Sequence, residues 1–286
     1  MCVILFGAPI GVCYRLLLGL PDGPELCPVS CFFIVIFAHR GALDTQTIVL
    51  NLAAVLIGIS KAGFGGGTGI VVAPMLALIL PAKQTVGLML PLLLATDILS
   101  LLYYWNRWDR RNVLALMPGA LLGILAGTQV LYVIPDLYLK KTIGLLACIF
   151  ALIQAVRDVV LKSKSPFTGG GVQGVVAGFV TGVISTLAHI GGLVTTMYLL
   201  PQRLSNRTFV GTTTAVYFLI NAAKMGPYVG LGLVNGPVLM RDLFLLPSIA
   251  AGTGLGILLN RRVSSGAFSK VLLLFVLITG IMLLAE

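Results

Sequence analysis

From Thr47 to Ala285 the chain runs through ten apolar segments separated by short polar breaks, and most of its cations lie in the breaks. A helix needs about 20 predominantly apolar residues to cross a bilayer, and a chain patterned this way folds as helices buried in lipid. Composition agrees: 58% of the 286 residues are hydrophobic and 10% are charged, against roughly 25% charged in a soluble domain. Abundant apolar residues exclude a disordered chain. Five cysteines without a regular spacing exclude a disulfide scaffold, and Cys27 and Cys31 read as apolar fillers. The expected fold class is an all-α polytopic membrane protein.

The net charge is +10. A nucleic-acid binder would gather its cations on a soluble face beside aromatics. Here they sit in clusters such as Arg107, Arg110 and Arg111 at segment ends, where cations orient a membrane protein.

The ten segments form a five-segment unit used twice. The first copy reads Thr47–Ser60, Thr68–Leu80, Thr85–Trp105, Val113–Val133 and Thr142–Val156; the second reads Val172–Leu187, Leu193–Leu200, Thr208–Gly226, Leu243–Leu259 and Val271–Ala285. Self-similarity supports the pairing. Gly66-Gly67 matches Gly191-Gly192 at an offset of 125, while Val86-Gly87 matches Val210-Gly211 and Asp97 matches Asn221 at 124. Pro118, Gly123 and Gly127 match Pro247, Gly252 and Gly256 at 129. The expected organisation is an appended membrane segment of unassigned role at 1–46, repeat one at 47–156, a polar linker at 157–171 and repeat two at 172–286. The appended segment also admits a reading as a cleaved signal peptide, although Arg15 lies inside its apolar run instead of before it.

The first two segments of each copy are short and meet at a glycine cluster, which suits broken or re-entrant helices better than full spans. Each unit then has five crossings, or one re-entrant hairpin and three crossings. Both counts are odd, so the second copy is expected to enter the bilayer inverted. That arrangement collects Arg107, Arg110, Arg111, Arg157, Lys162, Lys164, Arg203, Arg207, Arg261, Arg262 and Lys270 on one side, and Lys83, Lys140, Lys141 and Arg241 on the other. Eleven against four obeys the positive-inside rule. The linker is then cytoplasmic and Glu286 lies outside.

Paired short, glycine-interrupted segments in two halves point to a transporter's binding site. In Lys61-Ala62-Gly63-Phe64-Gly65-Gly66-Gly67-Thr68 the backbone can unwind and approach a ligand closely. Free N–H groups at the start of the next half-helix, with the positive end of its dipole, make a small-anion cradle. Lys61 adds a cation and Thr68 a hydroxyl. The second copy supplies Ser185, Thr186, His189, Gly191 and Gly192. Asp97 lies about 18 Å along its segment from Thr85. It reads either as a proton carrier or as a structural partner of Lys61. Asn221 and Lys224 share a helix face; Lys224 either offsets a bound anion or reaches toward the outer interface. Trp105 and Trp108 read as an interfacial belt.

The order of these features resembles the sulfite exporter TauE/SafE family of membrane permeases. The resemblance rests on Gly65-Gly66-Gly67 with Pro74, Val86-Gly87, Tyr103-Tyr104-Trp105-Asn106-Arg107-Trp108 and Pro118 to Gly123, then Val210-Gly211-Thr212-Thr213, Asn221, Lys224, Tyr228, Gly252 and Gly256. It covers about Thr47 to Leu284. It implies a secondary transporter of small sulfur-containing anions, such as sulfite or organosulfonates, in the cytoplasmic membrane. Gly63, Gly65, Gly66, Gly67, Gly191, Gly192, Asn221 and Lys224 stand at the matching positions. Ala188-His189 departs from the resemblance, standing where the family continues a glycine-rich run, and residues 1–46 have no counterpart in it.

An anion channel would use the same site. An enzyme would need a nucleophile with its base, or a metal, and no HExxH or paired-carboxylate motif is present. No cofactor or metal is expected; the expected partners are the anion and the lipid bilayer.

Overall fold

The computed structural model describes residues 45–64, 69–161, 171–262 and 265–285. The appended segment lies outside them except for Thr45 and Gln46, which begin the first helix. Gly65, Gly66, Gly67 and Thr68 also lie outside, as do linker residues 162–170.

The described residues form ten α-helices in order: α1 Thr45–Phe64, α2 Gly69–Ala77, α3 Ala82–Tyr103, α4 Arg110–Val133, α5 Asp136–Leu161, α6 Gly171–Ala188, α7 Gly192–Leu199, α8 Asn206–Gly230, α9 Gly236–Arg262 and α10 Ser265–Ala285. No strand occurs among the described residues. Helices α3, α4, α6 and the apolar part of α9, Gly236–Leu259, are long and apolar enough to cross a membrane. The all-α membrane fold expected from the apolar runs is therefore found. Large apolar side chains face outward on these helices, with Leu114 at 71% exposure and Leu125 at 61%. Lipid is the solvent that makes such a surface stable, since a soluble monomer seldom carries apolar patches of this extent.

Several boundaries differ from the sequence reading. The first segment of each copy is longer than expected: α1 has 20 residues and α6 has 18, about 30 and 27 Å at the helical rise. Lys61 extends α1 because a cation in a helix's last turn meets the negative end of its dipole. Only the second segments stay short, with nine residues in α2 and eight in α7. The fourth segment of the second copy begins at Gly236 instead of Leu243, which puts Arg241 and Asp242 inside a helix.

Side-chain caps set several helix starts. The Asp109 carboxylate accepts from the Arg111 and Asn112 N–H groups at 2.9 and 3.4 Å, and Ser205 Oγ accepts from Thr208 N at 3.2 Å. Asp136 reaches across to accept from Ala82 N and Lys83 N at 2.9 and 2.8 Å, so the start of α5 also caps α3. A cap of this kind stabilises by about 1 kcal/mol.

The closest packing crosses between the copies. A side chain at Gly123 on α4 would strike the Phe179 carbonyl on α6, and one at Gly252 on α9 would strike the Val55 carbonyl on α1. Likewise Gly182 on α6 presses on Ala120, and Gly58 on α1 presses on Ile249. Each contact recurs at the sequence offsets of 124 and 129. Such small residues let backbones approach where lipid gives no hydrophobic drive between helices. Both pairs run parallel: Gly123 meets Phe179 and Gly127 meets Val183, while Gly252 meets Val55 and Gly256 meets Ile59.

Helices α3 and α8 run antiparallel between these pairs. Gly87 near the start of α3 touches the Leu233 carbonyl just past the end of α8, and Gly211 near the start of α8 touches the Arg107 carbonyl just past the end of α3. Asp109 N donates to Thr212 Oγ1 at 2.9 Å and Asn112 Nδ2 to Gln202 Oε1 at 2.8 Å, which brings Arg107, Arg110, Arg111, Arg203 and Arg207 to one end of the molecule.

Candidate functional site

Midway along the α3/α8 crossing, Asn221 Nδ2 donates to Asp97 Oδ2 at 2.7 Å. The two residues occupy matching positions in the two copies and meet each other. Lys61, from the last turn of α1, places its ammonium 2.6 Å from Asp97 Oδ1 and donates to the Leu93 carbonyl at 3.2 Å. The same ammonium lies 5.8 Å from the centre of the Tyr217 ring, near enough for cation–π attraction. Of the two sequence readings of Asp97, partnership with Lys61 is therefore present in this conformation.

Lys224 is fully buried. It does not reach for the interface but turns inward, donating to Ser185 O at 3.1 Å, Ser185 Oγ at 3.0 Å and His189 Nδ1 at 3.0 Å. Those three bonds use all the donors of an ammonium. On its other side, His189 Nε2 lies 2.9 Å from the Val86 carbonyl. A carbonyl only accepts, so Nε2 carries the ring proton and Nδ1 offers its lone pair to Lys224.

The helix break in the second copy is visible. α6 ends at Ala188, His189 takes a left-handed φ of 55°, and α7 starts at Gly192. That backbone conformation costs a non-glycine residue about 1–2 kcal/mol, which gives a physical meaning to the sequence departure at His189: a glycine there would adopt it freely. The cost is offset by the two hydrogen bonds of the imidazole. Gly191 closes the break, because a Cβ there would come within 2.9 Å of the Thr181 carbonyl. In the first copy α1 ends at Phe64 and α2 begins at Gly69.

Of the residues singled out by sequence, Lys61, Asp97, Asn221, Lys224, Ser185 and His189 form one buried polar cluster, with Gly191 and Gly192 beside it. Thr186 is next to it but turns its hydroxyl back to the Gly182 carbonyl at 2.8 Å. Gly63 lies in the last turn of α1.

Several participants were not among the site residues expected from sequence. Tyr217 donates to Thr195 Oγ1 at 2.9 Å, and Thr195 Oγ1 lies 3.3 Å from Thr181 Oγ1, so a chain of hydroxyls borders the break. Tyr228 donates to the Thr186 carbonyl at 2.6 Å and Tyr104 to the Ala62 carbonyl at 3.1 Å. Tyr104 and Tyr228 are 124 apart, as are Ala62 and Thr186, so the repeat spacing already held that signal. Among the described residues no group of three metal-ligating side chains occurs.

Formally the cluster holds two lysines against one carboxylate. Its interior can therefore take up negative charge from outside, with backbone N–H groups at the start of α7 beside it. A family model described as "Sulfite exporter TauE/SafE" matches residues 50–283. No curated protein and no solved structure matches the chain.

Proposed function

The chain belongs to the TauE/SafE sulfite exporter family, and from that premise we propose that it exports small sulfur-containing anions such as sulfite or organosulfonates across the cytoplasmic membrane. The observation that carries this reading is the burial of two lysines, Lys61 paired with the carboxylate of Asp97 and Lys224 held by the neutral groups of Ser185 and His189. An unbalanced cation inside a membrane protein is costly and marks a substrate path by default.

In the proposed mechanism the anion enters beside the break between α6 and α7. Backbone N–H groups at Gly191 and Gly192 receive its oxygens, with Gly65 to Thr68 as their counterpart in the first copy. Lys224 exchanges a bond to Ser185 or His189 for one to the anion, and Lys61 offsets the remaining charge. Ser185 and Asn221 orient it. The copies are inverted repeats in this reading, supported by the antiparallel run of α3 and α8 and by the contacts duplicated at 124 and 129.

The moving bodies we propose are not the sequence repeats themselves. Backbone-to-backbone glycine contacts bind α1 to α9 and α4 to α6, so each body takes helices from both copies. The α3/α8 crossing, joined at the site by Asp97 and Asn221, is the seam between them. Alternating access then exposes the site to each side in turn. An inside-negative potential drives an anion outward by about 2.3 kcal/mol per charge per 100 mV, so export proceeds without a coupling ion.

The test is a binding screen of purified protein with sulfite, sulfate, thiosulfate, sulfoacetate and taurine, followed by counterflow in liposomes. Saturable binding of at least one oxyanion with counterflow is expected. Binding with non-saturating flux would identify an anion channel, and no response to any oxyanion overturns the proposal.

A further inference from the structure

Inside α9 lies one acid, Asp242, about 9 Å along the helix from Gly236. The sequence reading began this segment at Leu243 and so left Asp242 outside it; the structure puts the residue inside the helix. Its residue is 4% exposed, and both carboxylate oxygens are buried without a hydrogen-bond partner. On the same helix face, Val238 and Leu245 sit one turn to either side, and both pack into the larger apolar core.

Three occupants can satisfy a buried carboxyl: a cation, a hydrogen-bond donor or a proton. The charged and titratable groups on the helices packed closest against α9 are few. On α1 there is Lys61, already held by Asp97. On α3 there are Lys83, Asp97 and Tyr103. On α9 itself Arg241 is adjacent in sequence and half-buried, but forms no ion pair with Asp242 among the described residues. A metal ion needs several ligands, and no cluster of three is present among the described residues. A bare carboxylate in apolar surroundings is the costliest of the alternatives, and such a group takes up a proton instead.

We propose that Asp242 is a proton-binding site of this protein, occupied in the conformation described here and separate from the anion cluster. The carboxyl holds the proton while α9 is packed on α1 and α3, and gives it to water when that face is wetted. Proton occupancy thereby biases the packing of α9. Its part in transport rests on the reading of the chain as an anion exporter; its protonation does not.

Infrared pH-difference spectroscopy of the protein in lipid nanodiscs reads the proton directly. At neutral pH the wild type is expected to show the carbonyl stretch of a buried carboxylic acid, which Asp242→Asn removes and Asp97→Asn leaves in place. Asp242→Glu should restore a shifted band, which keeps the assignment testable if the amide variant is poorly folded. Identical bands in wild type and Asp242→Asn overturn the proposal. In liposomes, Asp242→Asn should flatten the pH profile of anion counterflow, and an unchanged profile overturns its part in transport. A wild type that carries no anion but shows the assigned band sinks the exporter reading and leaves the proton site standing.

Discussion

The two halves of the molecule share a scaffold and differ at the site. At matching positions the first copy has Lys61, Leu93, Asp97 and Ser100 where the second has Ser185, Tyr217, Asn221 and Lys224. Backbone contacts, by comparison, are kept: Gly123 and Gly252, Gly182 and Gly58, Gly87 and Gly211 all press on corresponding carbonyls or residues. Packing needs both halves alike because each closes on the other. Charge does not, since a site on the seam needs only one carboxylate and its counter-cations. Each copy therefore contributes one lysine from a different helix, α1 in the first and α8 in the second. The shared contacts are structural, and chemical identity lies in the matched positions that differ.

That division can be broken at the seam. Asp97→Asn makes the two copies identical at this position and strands Lys61 in the interior. Removing one partner of a buried pair costs about 3–5 kcal/mol, so a large fall in thermal stability is expected in detergent or nanodiscs. Lys61→Met on top of Asp97→Asn should recover much of it. A double variant no more stable than the single one contradicts the pairing.

Next in size are the lysines taken one at a time. Lys224→Met and Lys61→Met should each weaken sulfite binding by roughly 10- to 100-fold, the equivalent of a charged hydrogen bond of about 1.5–3 kcal/mol. Isothermal titration separates the two contributions. Lys224→Met is expected to do more, because Lys61 is already neutralised by Asp97. Unchanged affinity in both variants removes the cation roles.

The smallest effect sharpens the shared side of the comparison. Tyr104→Phe and Tyr228→Phe each delete one hydroxyl-to-carbonyl bond at corresponding places, worth about 1 kcal/mol. Chemical or thermal unfolding should show similar losses that add in the double variant. A strong effect from one and none from the other would mean that the two helix ends are held differently.

Much of this is legible in the sequence. Apolar runs announced helices in lipid, and the glycines matched at offsets of 124 to 129 make equivalent contacts in the structure. Lys61, Asp97, Asn221 and Lys224 stood out because a polar side chain within an apolar run needs a reason. Tyr217, Thr181 and Thr195 did not stand out, since tyrosine and threonine are unremarkable in a membrane helix until something across the bundle receives their hydroxyls. Asp242 was missed because its run contains Arg241, which made the segment resemble a loop.

Sequence alone determined the solvent, the helices and the twofold use of one pattern, because hydropathy and spacing are local properties that lipid reads one segment at a time. Only the tertiary structure decided that α1 packs on α9 and α4 on α6, that Asp97 and Asn221 face each other, and that Lys224 turns inward. Those outcomes depend on which backbones can touch and which donors find acceptors, and such pairings form between different elements, from 35 positions apart for Lys224 and His189 to 124 for Asp97 and Asn221.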